Sequence, residues 1–365
     1  MSARQLAGQG HRRGWIEIVG CKRANYRNRG HVVTKLGILV GQEKWTFFHE
    51  IYDDLAAHYQ TEVYQKKNYG IPLFRQQWNH WALQQGVRGI LHRNDLCFFE
   101  WASDLLVRAS HMPKQCTIVT RLHSYELYRW APKINWDAVD KVILVSKTMQ
   151  SLFTDLYPQH AHKTVDVYNG KSLVDFSPPA QRDFHFNIGM LCNIKPVKRI
   201  YEVILMFHEL IQDGHDAHFY IAGSPVGDLR YATAIYRLVD KLGLQERVIF
   251  DGYVTDTPSW LQKIDIFVSN SFWEGQQVSL LEAMSSGCYC LSHWWAGAEE
   301  MLPMENLFFA ESELRQKIIR YANMNATEQA CHQHQLRTIA SEKFDISRTK
   351  VQIRQIIAEM AAGPA

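Results

Sequence analysis

The chain has 365 residues and a net charge of +3, with 40 Lys and Arg residues against 37 Asp and Glu residues. This length favours two domains, and 46% hydrophobic with 21% charged residues excludes an intrinsically disordered chain. The near-neutral charge argues against a nucleic-acid binder, which usually has a large basic excess. No apolar run predicts a transmembrane helix, and residues 1–14 lack the apolar core of a secretory signal. We expect a flexible basic leader at 1–14 and a cytoplasmic protein.

The first half alternates short apolar runs with amphipathic stretches, which is typical of βαβ units and a parallel sheet. We assign residues 15–178 to an N-terminal domain. It opens with a predicted strand, W-I-E-I-V-G-C at 15–21, and an arginine-rich loop, A-N-Y-R-N-R-G at 24–30. Apolar residues at helical spacing predict a helix over 45–59. Further strands are predicted at 61–65, 95–101, 116–122 and 141–146.

The second half repeats the alternation more clearly and predicts a doubly wound open sheet over 184–325. Its predicted strands are 187–192, 216–223, 247–252, 265–271 and 288–293, and its predicted helices are 200–211, 229–242, 257–263 and 277–286. Tandem prolines in S-P-P-A mark the domain boundary at 178–184. The tail, 326–365, has helical character without a strand, so we expect it to pack back toward the N-terminal domain.

Seven cysteines are scattered through the chain, at 21, 97, 116, 192, 288, 290 and 331. The number is odd and no C-x-x-C occurs, so we interpret them as buried free thiols of a reducing compartment. Cys331 lies beside His332 and His334, which leaves two alternatives open. These are a metal site and, as we expect, a polar exposed helix.

Two open parallel sheets predict a ligand site at the carboxyl ends of their strands, between the domains. The segment E-G-Q-Q-V-S-L-L-E-A-M, 274–284, follows a predicted strand and enters a helix. Glu274 is suited to accept hydrogen bonds from sugar hydroxyls, and Glu282 from a vicinal diol such as ribose. Lys195, Lys198 and Arg199 cluster after another strand, where cations can neutralise a diphosphate. Surface decoration and a solvated basic loop are the alternative interpretations.

These segments resemble, in order, the motifs of the GT-B glycosyltransferases, and within them the retaining enzymes of family 4. The segment at 274–282 looks like the E-x7-E motif, and N-I-K-P-V-K-R at 193–199 looks like the diphosphate loop. A-G-A-E-E at 296–300 resembles G-G-x-x-E, with Gly297 and Glu300 on the second glycine and the glutamate. V-Y-N-G at 167–170 resembles the strand end before the interdomain linker, and R-V-I-F-D-G-Y-V at 247–254 the base-reading segment.

The resemblance implies a GT-B fold of two facing Rossmann-like domains and a role for each matched residue. Lys198 would stabilise the departing diphosphate and Glu274 would hold the donor sugar. His123, in R-L-H-S-Y-E after a strand, would contact the donor sugar or the acceptor hydroxyl; a buried structural histidine is the alternative. The implied donor-binding set is Asn193, Lys195, Arg199, Gly252, Tyr253, Val254, Gly275, Gln276, Gln277, Val278 and Glu282.

The chain departs from the family pattern at several positions. Asn193 stands where the family has an arginine, and Lys195 or Arg199 is positioned to replace that charge. The usual E-G-F-G is E-G-Q-Q, and Ser172 replaces the aspartate of N-G-V-D. The Gly-Gly loop after the first strand is absent, and the arginine-rich segment 23–30 takes its place.

No aspartate has another aspartate two residues on, so the chain lacks the D-x-D pattern that holds a divalent ion on a sugar nucleotide. We therefore predict a metal-independent enzyme without a cofactor, in which cationic side chains meet the leaving-group charge. No side chain is an evident nucleophile, so the resemblance implies retention of configuration by a front-face displacement.

We accordingly expect a retaining hexosyltransferase that uses a UDP- or GDP-sugar and a glycan or lipid-linked acceptor. F-F-E-W-A-S and R-L-H-S-Y-E also resemble bacterial envelope-polysaccharide transferases. The alternatives are a non-catalytic GT-B-like binding subunit and a nucleotide-sugar epimerase. Peripheral contact with the inner face of a membrane is open, as is solvated surface charge, for a basic surface at Arg23, Arg27, Arg29, Lys66 and Lys67. For Trp78 and Trp81 we expect core packing, with docking or sugar stacking as the alternative.

Overall fold

The computed structural model describes residues 34–41, 45, 48–65, 75–180, 183–227 and 229–362, without the side chain of Arg75. The strand predicted at 15–21, the arginine-rich loop, Cys21, Lys66 and Lys67 lie outside these residues. Within the described part no helix is both long and apolar enough to cross a membrane.

The first sheet has six parallel strands in the order β2-β1-β3-β4-β5-β6. In chain order its elements are β1 (Lys35–Leu39), α1 (His49–His58), β2 (Gln60–Val63), α2 (Arg75–Arg93), β3 (Leu96–Phe99), α3 (Asp104–Ser110), β4 (Thr117–Leu122), α4 (Glu126–Arg129), β5 (Lys141–Leu144), α5 (Lys147–Leu156) and β6 (Thr164–Asp166).

The second sheet also has six parallel strands, in the order β12-β11-β10-β7-β8-β9. Its elements are β7 (Asn187–Leu191), α6 (Ile200–Gln212), β8 (His218–Ala222), α7 (Leu229–Leu242), β9 (Val248–Gly252), α8 (Thr257–Gln262), β10 (Ile266–Ser269), α9 (Val278–Ser285), β11 (Tyr289–His293), β12 (Leu307–Phe308) and α10 (Glu311–Ala322). The prediction of two doubly wound parallel sheets is confirmed.

The helical tail consists of two helices, α11 (Ala326–Phe344) and α12 (Ile346–Ala362), which pack on different sheets. Leu336 and Phe344 of α11 lie in the core of the second sheet. Ile353 and Ile357 of α12 are fully buried in the first-sheet core. The chain therefore crosses back to its first half at the junction between the two helices.

Several elements of the first half were not predicted. Strand β1 was missed, although it pairs with a strand on each side and its residues Leu36, Ile38 and Leu39 are buried. Helix α2 was also missed because its apolar residues are sparse among polar ones. Helix α1 begins at His49, four residues after the predicted start. Strand β6 was anticipated only as a strand end at 167–170, and in the second half the short strand β12 was not predicted.

Two interpretations of side chains need correction. Trp78 and Trp81 are about half exposed, at 48% and 53%, and form an edge-on pair on α2, so the expectation of core packing is wrong. Among the six described cysteines, Cys331 is exposed and Cys192 is half-buried, while the others are buried. No group of three potential metal ligands occurs in the described residues.

Candidate functional site

Lys198 and Glu274 form an ion pair at the carboxyl ends of strands β7 and β10. Lys198 lies in a short 3-10 turn after β7, and Glu274 lies in the loop 270–277 between β10 and α9. The Lys198 Nζ atom contacts Glu274 Oε1, and the two side chains are 12% and 17% exposed. The predicted diphosphate-binding cation and the predicted sugar-binding carboxylate are therefore brought together, and each neutralises the other.

The other residues of the 193–199 segment have different surroundings. Arg199 has a left-handed backbone conformation (φ 49°), and its guanidinium contacts Glu311 on α10. Lys195 is half-buried and has no ion-pair partner among the described residues, and Asn193 is exposed. Lys195 is thus the cation of this segment whose charge is not already matched by a carboxylate.

Glu282 lies in α9 and is 8% exposed. Burial raises the pKa of this carboxyl, and Lys171, whose Nζ is 3.3 Å from Glu282 Oε1, partly opposes the rise. Lys171 belongs to residues 167–186, the linker between β6 of the first sheet and β7 of the second. The sequence analysis missed Lys171, although it follows the V-Y-N-G segment directly.

Both glutamines of the 270–277 loop hydrogen-bond within the protein. The Gln276 Oε1 atom accepts the Asn169 N–H, and Gln276 Nε2 donates to the Asn169 carbonyl, each at 2.7 Å. Gln277, which is buried before α9, accepts from the Ser269 hydroxyl and donates to Ser279. Gln276 therefore joins the loop to the linker, and Gln277 holds the loop to its own sheet.

Gly275 brings this loop against the first half of the chain. A Cβ atom at this position would collide with the carbonyl oxygen of His123 and approach Ser124 Cβ to 2.8 Å. Only glycine fits such a close backbone approach. Glu274 therefore directly precedes the residue at which the second half contacts the His123 backbone.

His123 follows strand β4 and stacks on Trp101, with ring centroids 4.1 Å apart. Its Nε2 atom lies 3.2 Å from both the backbone carbonyl and a carboxylate oxygen of Glu100. Glu126 is fully buried and accepts the backbone N–H groups of His123 and Ser124. The ring and the backbone of His123 are thus each fixed by a glutamate.

A fully buried ion pair contacts this histidine through Glu100. The Arg121 Nη1 atom is 2.7 and 3.0 Å from the two carboxylate oxygens of Glu100, and the side chains are 1% and 0% exposed. Arg121 Nη2 donates to the side-chain oxygen of Asn169 in the linker. Sequence reasoning missed Glu100 and Arg121, although both stand in quoted motifs, because their neighbours are apolar strand residues.

The predicted base-reading residues lie at the end of β9, on the edge of the second sheet. Gly252 is left-handed (φ 69°), Tyr253 is 76% exposed, and Val254 is half-buried. The Gly252 carbonyl accepts the Gly223 N–H at 2.6 Å. Val278, the first residue of α9, is half-buried. The exposed Tyr253 ring has no core function and is free to face a ligand.

Glu300 joins the two halves at a second point. Its carboxylate accepts the Lys147 and Thr148 N–H groups, the Thr148 hydroxyl and the Tyr168 hydroxyl, at 2.6–3.0 Å. Burial would raise the pKa of Glu300, but these hydrogen bonds outweigh burial and lower it. Gly297 is left-handed, and a Cβ atom at this position would lie 3.2 Å from Thr148. The G-G-x-x-E-like segment therefore caps helix α5 across the two halves.

The loop after the first described strand contains a glycine with a positive φ. The sequence analysis gave the place of the family's glycine loop to residues 23–30, which lie outside the described residues. Strand β1 ends at Leu39, and Gly41 follows with φ 77°. The first-sheet loop that begins here thus contains a left-handed glycine, and the assignment of the family's loop to 23–30 stays a prediction.

Comparison with known proteins agrees with this architecture. An Anabaena protein, HepE, solved in complex with UDP, superposes with a TM-score of 0.71 at 18% identity, over 90% of this chain and 100% of that chain. A Rickettsia africae glycosyltransferase superposes with a TM-score of 0.72 at 14% identity, over 92% and 100%. The chain has the GT-B fold. At these identities the likeness concerns the fold alone.

The match to a family model lies in the second half of the chain. Residues 185–323 match the family model described as Glycosyl transferases group 1. A lipopolysaccharide core biosynthesis mannosyltransferase of Rhizobium meliloti is 37% identical over 68 residues, which are 18% of this chain and 19% of that protein. An Escherichia coli α-1,3-galactosyltransferase acting on GlcNAc-diphosphoundecaprenol is 33% identical over 78 residues, 21% and 19% of the two chains. The matched region thus spans about a fifth of each relative's length.

Proposed function

We propose that the protein is a retaining, metal-independent glycosyltransferase that moves a hexose-type sugar from a UDP- or GDP-sugar to a glycan or lipid-linked acceptor. One observation carries the proposal: the Lys198–Glu274 ion pair of the second half lies directly beside Gly275, whose backbone packs against the His123 carbonyl of the first half. The GT-B fold and the family match over 185–323 support it.

The ion pair suggests how a donor would bind. Diphosphate oxygens would compete with Glu274 for the Lys198 ammonium, because both are anionic hydrogen-bond acceptors. Glu274 would then be free to accept hydrogen bonds from the donor sugar. Lys195 has no carboxylate partner among the described residues and would add the charge that Asn193 lacks. Glu282 would exchange its contact with Lys171 for the ribose hydroxyls.

The chemistry we propose is a front-face displacement. The bond from the anomeric carbon to the diphosphate oxygen breaks, the acceptor oxygen bonds to the same face, and its proton passes to the departing phosphate. Lys198 and the N-terminus of α9 stabilise the developing negative charge. His123, fixed by Trp101 and Glu100, would hydrogen-bond the donor sugar or the acceptor hydroxyl.

The acceptor class is inferred from the relatives. Two of them are named for lipopolysaccharide core and diphosphoundecaprenol-linked substrates, and a third, from Staphylococcus aureus, is named as a poly(ribitol-phosphate) N-acetylglucosaminyltransferase. These names support an envelope polysaccharide acceptor.

The stereochemical test is NMR of the sugar released or transferred from each active UDP- or GDP-sugar. We expect the first-formed product to keep the donor's α or β configuration. Glu282→Ala should weaken binding of the nucleotide in calorimetry, whereas Glu246→Ala, which removes an exposed carboxylate before the amino end of β9, the end opposite to Gly252, should not. Inverted product would refute the mechanism, and sugar isomerised without an acceptor would favour an epimerase. Nucleotide binding without turnover would favour a binding subunit.

A further inference from the structure

A continuous set of polar contacts runs from the 270–277 loop to the ring of His123. Gln276 binds both backbone groups of Asn169, the Asn169 side chain accepts from Arg121, and Arg121 pairs with Glu100. Glu100 in turn lies 3.2 Å from the His123 ring. The contacts thus connect residues of the second half, the linker and the first half.

The geometry at Asn169 is selective for an amide side chain. The Asn169 backbone offers an N–H donor and a carbonyl acceptor. The Gln276 amide pairs with them through its Oε1 acceptor and its Nε2 donor. A carboxylate would place an oxygen against the Asn169 carbonyl, and an apolar side chain would leave both groups without this partner. Phenylalanine occupies the position of Gln276 in the family that this chain resembles. The pairing of Gln276 with Asn169 is therefore a feature of this chain and not of that family's motif.

We propose that Gln276 and Asn169 are positioning residues that set the 270–277 loop, and therefore Glu274, opposite His123. The inference rests on the proposed function for its catalytic consequence. Gln276 fixes the loop to the linker, and Asn169 transmits that position through Arg121 and Glu100 to the histidine ring. The amide of Gln276 acts through Asn169 and not on the donor.

The test uses the full chain with Gln276→Leu and Gln276→Glu. Gln245→Leu serves as the control because Gln245 is exposed and its side chain makes one backbone hydrogen bond, to Asp240. The protein is labelled with ¹⁵N-histidine, and the His123 ring signals are assigned by their loss in His123→Gln. These spectra need no substrate, so they remain informative whether or not the protein is an enzyme.

We expect the His123 ring signals to shift in both Gln276 variants and to stay unchanged in Gln245→Leu. With an active donor, kcat should fall about 30-fold, because two neutral hydrogen bonds that position the loop are lost. The donor KM should change less than about threefold. The melting temperature should fall by only a few degrees. Donor hydrolysis should rise relative to transfer.

Unchanged His123 signals in both variants would overturn the inference, as would a kcat within threefold of the unmodified protein. Loss of folding in both variants would also overturn it, because the proposal confines Gln276 to positioning. If the unmodified protein neither hydrolyses nor transfers any nucleotide sugar, the proposed function fails. The NMR result then decides the positioning claim by itself.

Discussion

The two sides of the proposed site pair their charges in different environments. On the first sheet, Arg121 and Glu100 are 1% and 0% exposed and hold each other, the linker and His123. On the second sheet, Lys198 and Glu274 are 12% and 17% exposed, in loops at the strand ends. The first pair is sealed in the core, and the second can exchange partners with a ligand. We interpret the first pair as structural support and propose that the second pair binds the ligand.

Arg121→Met should have the largest effect. It leaves the Glu100 carboxylate buried without its cation, and breaking a buried pair in this way costs about 3–5 kcal/mol of unfolding free energy. Urea unfolding measures the change. Arg247→Met is the matched control: its partner Asp216 is 86% exposed, so the expected loss is much smaller. Equal losses in both variants would break the distinction between sealed and exposed pairs.

Lys198→Ala should leave the fold intact and lower kcat by about 100- to 1000-fold, because one group that stabilises developing charge is lost. Steady-state kinetics with the active donor measures it, together with a thermal melt to confirm folding. Lys241→Ala, on the exposed face of α7, should keep normal kcat. A loss of less than fivefold in Lys198→Ala would mean that the second-sheet pair is structural after all.

Glu300→Gln should destabilise the protein by roughly 1–2 kcal/mol at pH 7, because a charged acceptor of several N–H and O–H groups becomes neutral. The lowered pKa of Glu300 fixes the pH dependence. Its contribution is present above the ordinary carboxyl pKa of 4.5 and is lost as the pH falls through the folded-state value. Urea unfolding from pH 7 to 3 should show the two proteins converging in acid. A constant difference would contradict the assignment.

Trp81→Ala should change the unfolding free energy least, by less than about 0.5 kcal/mol, because the ring is 53% exposed. Trp136→Ala is the buried comparison, at 4% exposure, and should cost about 3–5 kcal/mol. Both are measured by urea unfolding. A large loss of unfolding free energy in Trp81→Ala would show that this half-exposed ring on α2 stabilises the fold as a core side chain does.

The sequence predicted the second sheet more closely than the first, for physical reasons. Helix α6 carries an apolar stripe at Ile200, Val203, Ile204, Phe207 and Leu210, and all five are buried. Strand β1, by contrast, contains a lysine and a glycine among its five residues, K-L-G-I-L, and lacks a clear boundary. Helix α2 was missed for a similar reason, because its few apolar packing residues are scattered among polar ones.

The sequence indicates which side chains lie together where the pattern is local, and it does not where the contact depends on a distant backbone. The 193–199 and 274–282 segments suggested that Lys198 and Glu274 share a ligand, and the two residues are in contact. Nothing in the sequence indicates that Gln276 pairs with the backbone of Asn169, which is 107 residues away. Arg121 and Glu100 were equally hidden, because two charges within apolar strands only make sense once β3 and β4 are paired.

The most direct test of the central claim is release of nucleoside diphosphate from a panel of UDP- and GDP-sugars, with acceptor glycans or water, in the presence of EDTA. The account predicts turnover with at least one donor, undiminished by EDTA and strongly reduced in Lys198→Ala. No release from any donor, or release that requires an added divalent cation, would contradict it.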